Sequence, residues 1–366
     1  MELGAFWAGR RVLLTGHTGF KGAWLGLWLE KLGAVVGAVA LEPETAPSLY
    51  DRLSPWKNAE HHICDIRDFL GLRSLVTAFR PEIVVHLAAQ ALVRRSYEDP
   101  LGTFSTNVMG TANVLEAIRA CPSVRTVLVV TSDKVYAENG SNQPFVETDR
   151  VGGKDPYSAS KACAELVCDS YRASFLEDRD LRLATVRAGN VIGGGDWSED
   201  RLVPDFIRAL ERSEPIELRY PHAVRPWQHV LEPLGGYLMF ARALSTDRDR
   251  VLPDALNFGP DADSFATVSE LADALGDAHG IPNAWRPARG PHPDEAAALR
   301  LSSALARQSI GWQPRLGLRD AIDWTAAWYK AHRDGADMRA FSLGQIAAYE
   351  RAADLQPASE RDHEPA

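Results

Sequence analysis

Positive charge is in short supply in this chain of 366 residues: 40 lysines and arginines face 49 aspartates and glutamates, a net charge of −9. Nucleic-acid binders usually show a basic face, so this balance argues against that class, while a local basic pocket for phosphate stays allowed. Cysteine is scarcer, at four residues. Cys64, Cys121, Cys163 and Cys168 form no C-x-x-C pair and none of the usual metal spacings. Free thiols buried as small apolar groups in a reducing compartment are expected, and no metal is predicted. Long apolar runs are also missing. None approaches the roughly 20 residues that span a bilayer, and Met1 to Arg11 lacks the apolar stretch of a signal peptide. The expectation is a cytoplasmic protein with no membrane partner. Neither internal repeats nor low-complexity tracts occur.

What the chain does have is 45% hydrophobic residues, enough for a large core in one big domain or two coupled lobes. The first half alternates two periods. Short β-branched or apolar runs lie at Val12–Thr15, Val35–Ala40, Ile83–Leu87, Val124–Thr131 and Leu183–Arg187. Segments of helical periodicity lie between them, among them Phe20–Leu32, Asp68–Phe79, Phe104–Ala120 and Tyr157–Phe175. Continuous apolar strands separated by helices predict an α/β fold with a doubly wound parallel sheet, Rossmann-like, covered on both faces. After about residue 190, Gly193–Gly195 and Pro204, Pro215, Pro221, Pro226 and Pro233 predict mostly loops. Helices follow at Val268–Leu275 and Leu318–Tyr329. The expected division is a dinucleotide-binding domain over 1–190, rejoined by 222–258, with a smaller mixed α/β substrate lobe over 191–221 and 259–352. Residues 353–366, with Pro357, Glu360, Asp362 and Pro365, read as a solvated tail.

Directly after Val12–Thr15 come Gly16, His17, Thr18, Gly19, Phe20, Lys21 and Gly22, and then a helix. Glycines three apart at a strand-to-helix turn let the backbone approach a pyrophosphate, and the helix N-terminus offers it N–H groups and partial positive charge. Glu42 ends the second strand, about 20 residues on, where an acid can bind the adenosine ribose. No Lys or Arg lies between Lys31 and Arg52 to meet the extra phosphate of NADP, so NAD is the expected cofactor. Asp65, beside Ile66 after the third strand, can accept from the adenine amine.

Tyr157 and Lys161 stand at i and i+4, on one helix face. A free phenol has a pKa near 10, and a neighbouring ammonium is expected to lower it towards service as a base. The strand Val127–Thr131 delivers Ser132, Asp133 and Lys134. Together these residues resemble the extended short-chain dehydrogenase/reductase family, over nearly the whole chain. The resemblance implies that Ala88 and Ala89 line the cofactor, that Asn107 is the family's structural asparagine, and that Ser132 binds the sugar hydroxyl that Tyr157 deprotonates. Within that family, Thr15–Gly22, Thr131–Lys134 and Arg225–Pro226–Trp227–Gln228–His229–Val230 resemble the CDP-glucose 4,6-dehydratases.

That resemblance implies oxidation of CDP-glucose at C4, loss of water across C5–C6 and return of the hydride to C6. Asp133 would be the acid for the leaving hydroxyl and Lys134 the base at C5. A lysine normally keeps its proton to about pH 10.4, so Lys134 would need burial or a second cation. Gln90, Asn190, Arg201 and Arg225 join Ser132 as expected substrate contacts, the arginines because their planar fork suits phosphate. The resemblance also implies a homodimer, built from the helices at Phe104–Ala120 and Tyr157–Phe175 as a four-helix bundle. Sequence alone could equally bury those helices against the sheet. The competing readings are a relative acting on another nucleotide sugar, a 4-epimerase, or a non-catalytic dinucleotide sensor. An epimerase needs no elimination pair, and a sensor predicts a damaged glycine loop or Tyr–Lys pair; here both are intact.

Overall fold

The apolar runs of the first half pair side by side as parallel strands, and the reason is visible in which face each residue occupies. The computed structural model describes residues 3–354 except 139, 141–142, 177–178, 262–263 and 290–299. Its main sheet contains β1 (Arg11–Thr15), β2 (Val35–Ala40), β3 (Ala59–Ile63), β4 (Ile83–His86), β5 (Thr126–Val130), β6 (Arg182–Ala188) and β11 (Ala255–Phe258). All are parallel, in the order β11-β6-β5-β4-β1-β2-β3. Val12, Leu14, Leu128, Val130, Ala184 and Val186 face one hydrophobic core; Leu13, Val127, Val129 and Leu183 face the other. Successive side chains alternate across a strand, so a sheet buried on both faces must be apolar at every position. β3 lies at the edge and is half-exposed, which is why Ala59–Ile63 carries no apolar run.

Helices α1 (Leu3–Trp7), α2 (Phe20–Lys31), α3 (Leu49–Arg52), α4 (Phe69–Phe79), α5 (Val93–Glu98) and α6 (Pro100–Phe104) precede α7 (Gly110–Arg119) and α8 (Pro156–Tyr171). The helix expected over Phe104–Ala120 is interrupted by a π turn at Ser105–Met109, which buries Asn107. α8 likewise runs into a π turn at Arg172–Leu176. The chain order reverses between β1 and β4, leaving a crevice at the carboxyl ends of those strands, where ligands enter such sheets.

Beyond residue 190 the loops expected from the prolines are partly helices: α9 (Leu202–Glu211) and α10 (Leu231–Thr246). Pro204 and Pro233 each occupy the third helical position, where a missing N–H breaks no intrahelical bond. Helix α11 (Val268–His279) opens with a Thr267–Glu270 capping box and ends at Gly280 with φ +70°. It is followed by α12 (Ala304–Ile310), α13 (Leu318–Arg333) and α14 (Met338–Asp354). Among the described residues this half also holds small two-stranded sheets: β7 (Val191–Ile192) with β10 (Gln228–His229), β8 (Ile216–Leu218) with β13 (Trp285–Pro287), and β9 (Val224–Pro226) with β12 (Phe265–Thr267). α14 packs against α2: Tyr349 meets Trp28 edge to face at 5.6 Å, and Glu350 accepts from the Trp28 indole at 2.9 Å. The expected tail beyond Asp354, residues 355–366, lies outside the described residues. Among the described residues no helix is long and apolar enough to cross a membrane.

Candidate active site

A cleft of about 1690 Å³ opens over the β1/β4 crevice. Its floor is the glycine turn. Gly16 sits at φ +78°, and a Cβ there would meet the backbone of Ala88 at 2.7 Å. At Gly22 a Cβ would lie 2.0 Å from the Gly16 carbonyl oxygen, so neither position admits a side chain. α2 begins behind Gly19, which supplies no side-chain cap, and its first turn points into the cleft with Phe20 and Lys21. A backbone cradle closed to side chains, beneath an uncapped helix N-terminus, fits a dinucleotide pyrophosphate. Burial lowers Lys21 to about 8, with Arg201 adding to the fall and Asp133 opposing it.

His17, expected at the cofactor, turns the other way. Its ring is buried against His61 at 4.9 Å and Tyr50 at 5.3 Å, and burial, then His61, lowers it to about 4. It is a neutral packing group beneath the loop, not part of the cleft wall. Glu42 is exposed on the rim, and Asp65 and Ile66 line the wall. Asp65 is engaged by the Arg67 guanidinium, with Nη2 at 2.5 Å, which holds its carboxyl below the usual range. Ala88 and Ala89 line the cleft opposite the glycine turn; the Ala88 N–H donates to Thr15 Oγ1 at 3.1 Å.

Asn107 and Gln90 lie behind that wall. The Asn107 amide donates to Gln90 O at 3.0 Å and Ser160 Oγ at 2.8 Å, while its oxygen accepts from the Gln90 N–H at 2.8 Å. The Gln90 side chain is spent locally, donating to Thr103 Oγ1 at 2.9 Å and accepting from the Leu92 N–H at 2.6 Å. With both ends of its amide used, Gln90 has a role in tying α5 and α6 together, and the substrate contact expected of it has no support in its placement.

The catalytic corner forms where β5 ends and α8 begins. Asp155 caps α8 by accepting from the Ser158 N–H at 3.0 Å, Pro156 takes the first helical position, and Tyr157 and Lys161 face the cleft. Ser132 opens a 3-10 turn over Asp133–Val135 and shares a hydrogen bond with the Tyr157 phenol. Burial raises the phenol above its ordinary value; the Ser132 bond and the Arg201 charge oppose that rise. The cation expected to act on Tyr157 was Lys161, yet Lys161 Nζ donates to the Val130 carbonyl at 3.1 Å, and burial lowers it to about 8. Asp133 is buried; Oδ1 accepts from the Ser132 hydroxyl at 3.1 Å, and Oδ2 meets no donor among the described residues. Lys134 is half-buried at the cleft, its N–H donating to Ser132 Oγ at 3.2 Å.

Across the cleft stand Asn190, Arg201 and Arg225. Asn190 gives its carbonyl to the Gln228 N–H at 3.1 Å, and Arg225 is buried beside Trp227 on β9. Two residues not expected from the sequence shape this wall. Asp196, buried, accepts from Arg201 Nη1 at 2.9 Å and from the Ser198 N–H at 3.0 Å, aiming the guanidinium at Tyr157. Gly189 leaves room for Asp133: a Cβ there would meet Asp133 Oδ2 at 3.1 Å and Pro226 at 2.9 Å. Nothing in the local pattern Gly194–Gly195–Asp196–Trp197 marks Asp196, because its partner is fixed by a loop turn. Asp200, at φ +59°, links the two walls by receiving Arg94 at 2.5 Å and Arg219 at 3.5 Å.

Residues 12–253 match the family described as "NAD dependent epimerase/dehydratase family". The chain is 45% identical over 349 residues to a CDP-glucose 4,6-dehydratase of Salmonella typhimurium, covering 94% of this chain and 97% of that one. Among solved structures it resembles a UDP-glucose 4-epimerase of Thermus thermophilus in complex with NAD, at 27% identity and a TM-score of 0.73, covering 87% of this chain and 99% of that one. A dTDP-glucose 4,6-dehydratase of Streptomyces venezuelae with NAD and TYD bound shares the fold at 22% identity and a TM-score of 0.76, covering 90% and 99%.

Proposed function

Because the chain belongs to the NAD dependent epimerase/dehydratase family, we propose that it converts CDP-D-glucose to CDP-4-keto-6-deoxy-D-glucose with bound NAD. The observation that carries this reading is one cleft wall on which the Tyr157–Ser132 pair adjoins Asp133 and Lys134, above a cradle shaped for a dinucleotide. The Gly16–Gly22 turn, Asp65, Ala88 and Lys161 would hold NAD, which supplies the oxidation at C4 and returns the same reducing equivalents at C6.

The chain's own groups move the protons. Tyr157 Oη takes the proton of the sugar 4-hydroxyl, while Ser132 Oγ holds the 4-oxygen. The resulting ketone acidifies the C5 hydrogen. Lys134 Nζ, as the free amine, takes that proton and returns it to C5 at the close of the cycle. The C6–O bond breaks while Asp133, as the acid, delivers from Oδ2, which meets no donor among the described residues, the proton with which the 6-oxygen leaves as water. Arg201 and Arg225 pair with the diphosphate, their planar forks matching its oxygens. An epimerase needs the tyrosine alone, so the adjacent Asp133 and Lys134 favour dehydration. Substrate deuterated at C4 tests this directly: the product should be the 4-keto-6-deoxy sugar with the deuterium at C6. A CDP-galactose product, or no turnover of any CDP-sugar, rules the reading out. Lys134→Gln should abolish solvent exchange at C5.

The same reading includes a homodimer. Leu101 on α6, Met109 and Phe175 in the two π turns, and Leu166 on α8 are 82%, 56%, 47% and 56% exposed on helical segments packed side by side. Such a face is costly in water and suits self-association. Met109→Lys combined with Leu166→Lys should turn a dimer into a monomer in sedimentation. Free thiols at all four cysteines accord with a cytoplasmic location.

A further inference from the structure

α8 carries a third buried ionisable residue on the stripe of Tyr157 and Lys161. Glu165 follows Lys161 by one helical turn, and none of the chemistry above uses it. Its carboxylate is fully engaged. Oε1 accepts from Thr131 Oγ1 at 2.5 Å and Arg187 Nε at 2.9 Å; Oε2 accepts from Thr185 Oγ1 at 2.7 Å and Arg187 Nη2 at 2.9 Å. Arg187, on β6, is fixed in turn by donating to the Tyr136 hydroxyl at 2.9 Å and the Glu147 carbonyl at 3.1 Å. The side chains of Arg187 and Glu165 are 6% and 3% exposed.

A buried ion pair is a poor device for stability alone, because well-packed apolar residues of similar volume often serve as well or better. What distinguishes this pair is its third partner. Thr131 stands between Val130, whose carbonyl holds the Lys161 ammonium, and Ser132, which bonds the Tyr157 phenol. One carboxylate thus joins the end of β5 to the helix that carries both groups. We propose that Glu165 is a positioning residue of the active site: with Arg187 it locks the β5 corner against α8 and sets a negative charge one turn from the Lys161 ammonium.

The surroundings of Lys161 make that charge consequential. Lys21, at the head of α2, and His86, at the end of β4, face it, with Tyr157 and the Cys168 thiol on its own helix and Arg187 beyond Glu165. Burial lowers Lys161 to about 8, and Glu165 is the first influence holding it up. His86 is itself pushed down to about 3 by burial and then by Lys161, so it brings no compensating charge. Without Glu165 the ammonium would face Lys21 and Arg187 unbalanced.

The inference rests on the reaction proposed above, and the experiment separates the two. Lysine side chains labelled with ¹³C are titrated by NMR in the full-length protein, Lys161 being assigned through Lys161→Gln, and CDP-glucose turnover is measured in parallel. Glu165→Gln should lower the Lys161 midpoint by about one pH unit. It should also cut kcat on the order of ten- to hundredfold, with KM changed less than about threefold. Thr131→Val, which takes the hydroxyl away from Glu165 and from the Val186 carbonyl, should lose kcat with the Lys161 midpoint unmoved. An unmoved Lys161 midpoint in Glu165→Gln overturns the proposal; should that variant not fold, wild-type kcat in Thr131→Val overturns it. A wild-type protein inert towards CDP-glucose would sink the reaction instead, and the titration would still decide the role of Glu165.

Discussion

The two walls of the cleft are built in different ways. On the coenzyme side the functional groups sit at the ends of buried strands and helices, and their polar partners are in place: Lys161 on Val130, Asn107 on Gln90 and Ser160, Arg187 on Glu165. On the substrate side Arg201 hangs on one carboxylate, Asp196, and the neighbouring Asp200 pairs with arginines that are 49% and 25% exposed. Exposed ion pairs of that kind contribute about 0–1 kcal/mol, whereas removing one partner of a buried pair costs about 3–5 kcal/mol. The first wall is therefore rigid before any ligand arrives. The second is held by contacts weak enough for a diphosphate to replace, which suits a surface that must admit and release a different molecule at each turnover.

Substitutions on either wall should accordingly fail in different ways. The largest effect is expected from Gly22→Ala, whose new Cβ would lie 2.0 Å from the Gly16 oxygen. NAD affinity, read by quenching of tryptophan fluorescence, should fall on the order of a hundredfold or more. If it survives within tenfold, the cradle is less rigid than described. Asp196→Ala should act on the opposite wall alone, raising KM for CDP-glucose by about tenfold through a misdirected Arg201 while leaving NAD affinity unchanged. A matching loss of NAD affinity would mean that the walls are coupled. The smallest effect is that of pH. Lys21 and Lys161, lowered to about 8, carry their charge below that pH and lose it above, so kcat/KM should decline as pH rises through 8. Arg201, raised by Asp196 against the partial loss of its solvation, keeps its charge throughout. A profile flat to pH 9.5 would show that neither lysine charge matters to the free enzyme.

The difference between the walls also accounts for what could be read from the sequence. The glycine turn and the Tyr157–Lys161 pair are local, set by spacing within one strand–helix unit, and the parallel sheet follows from strands apolar at every position. His17 belongs to the same local loop, but which way its ring turns depends on Tyr50 and His61, supplied by α3 and β3. Gln90 looked free until Thr103 and the Leu92 N–H claimed both ends of its amide. Glu165 was silent for the same reason, since its partners lie 20, 22 and 34 residues away, whereas Asp196 meets Ser198 and Arg201 close by through a loop turn that spacing does not reveal. α10 was hidden by Pro233, a residue that ends helices from inside and is harmless in their first turn.

The contact between α14 and α2 has a consequence for the newborn chain. Trp28 leans on Tyr349, and Lys31 reaches Glu350, more than 300 positions downstream. During synthesis this face of the nucleotide-cradling helix must wait for its cover until more than 300 further residues have been made. The amino-terminal half is thus no free-standing module, and a ribosome stalled shortly before α14 would leave behind a client for chaperones.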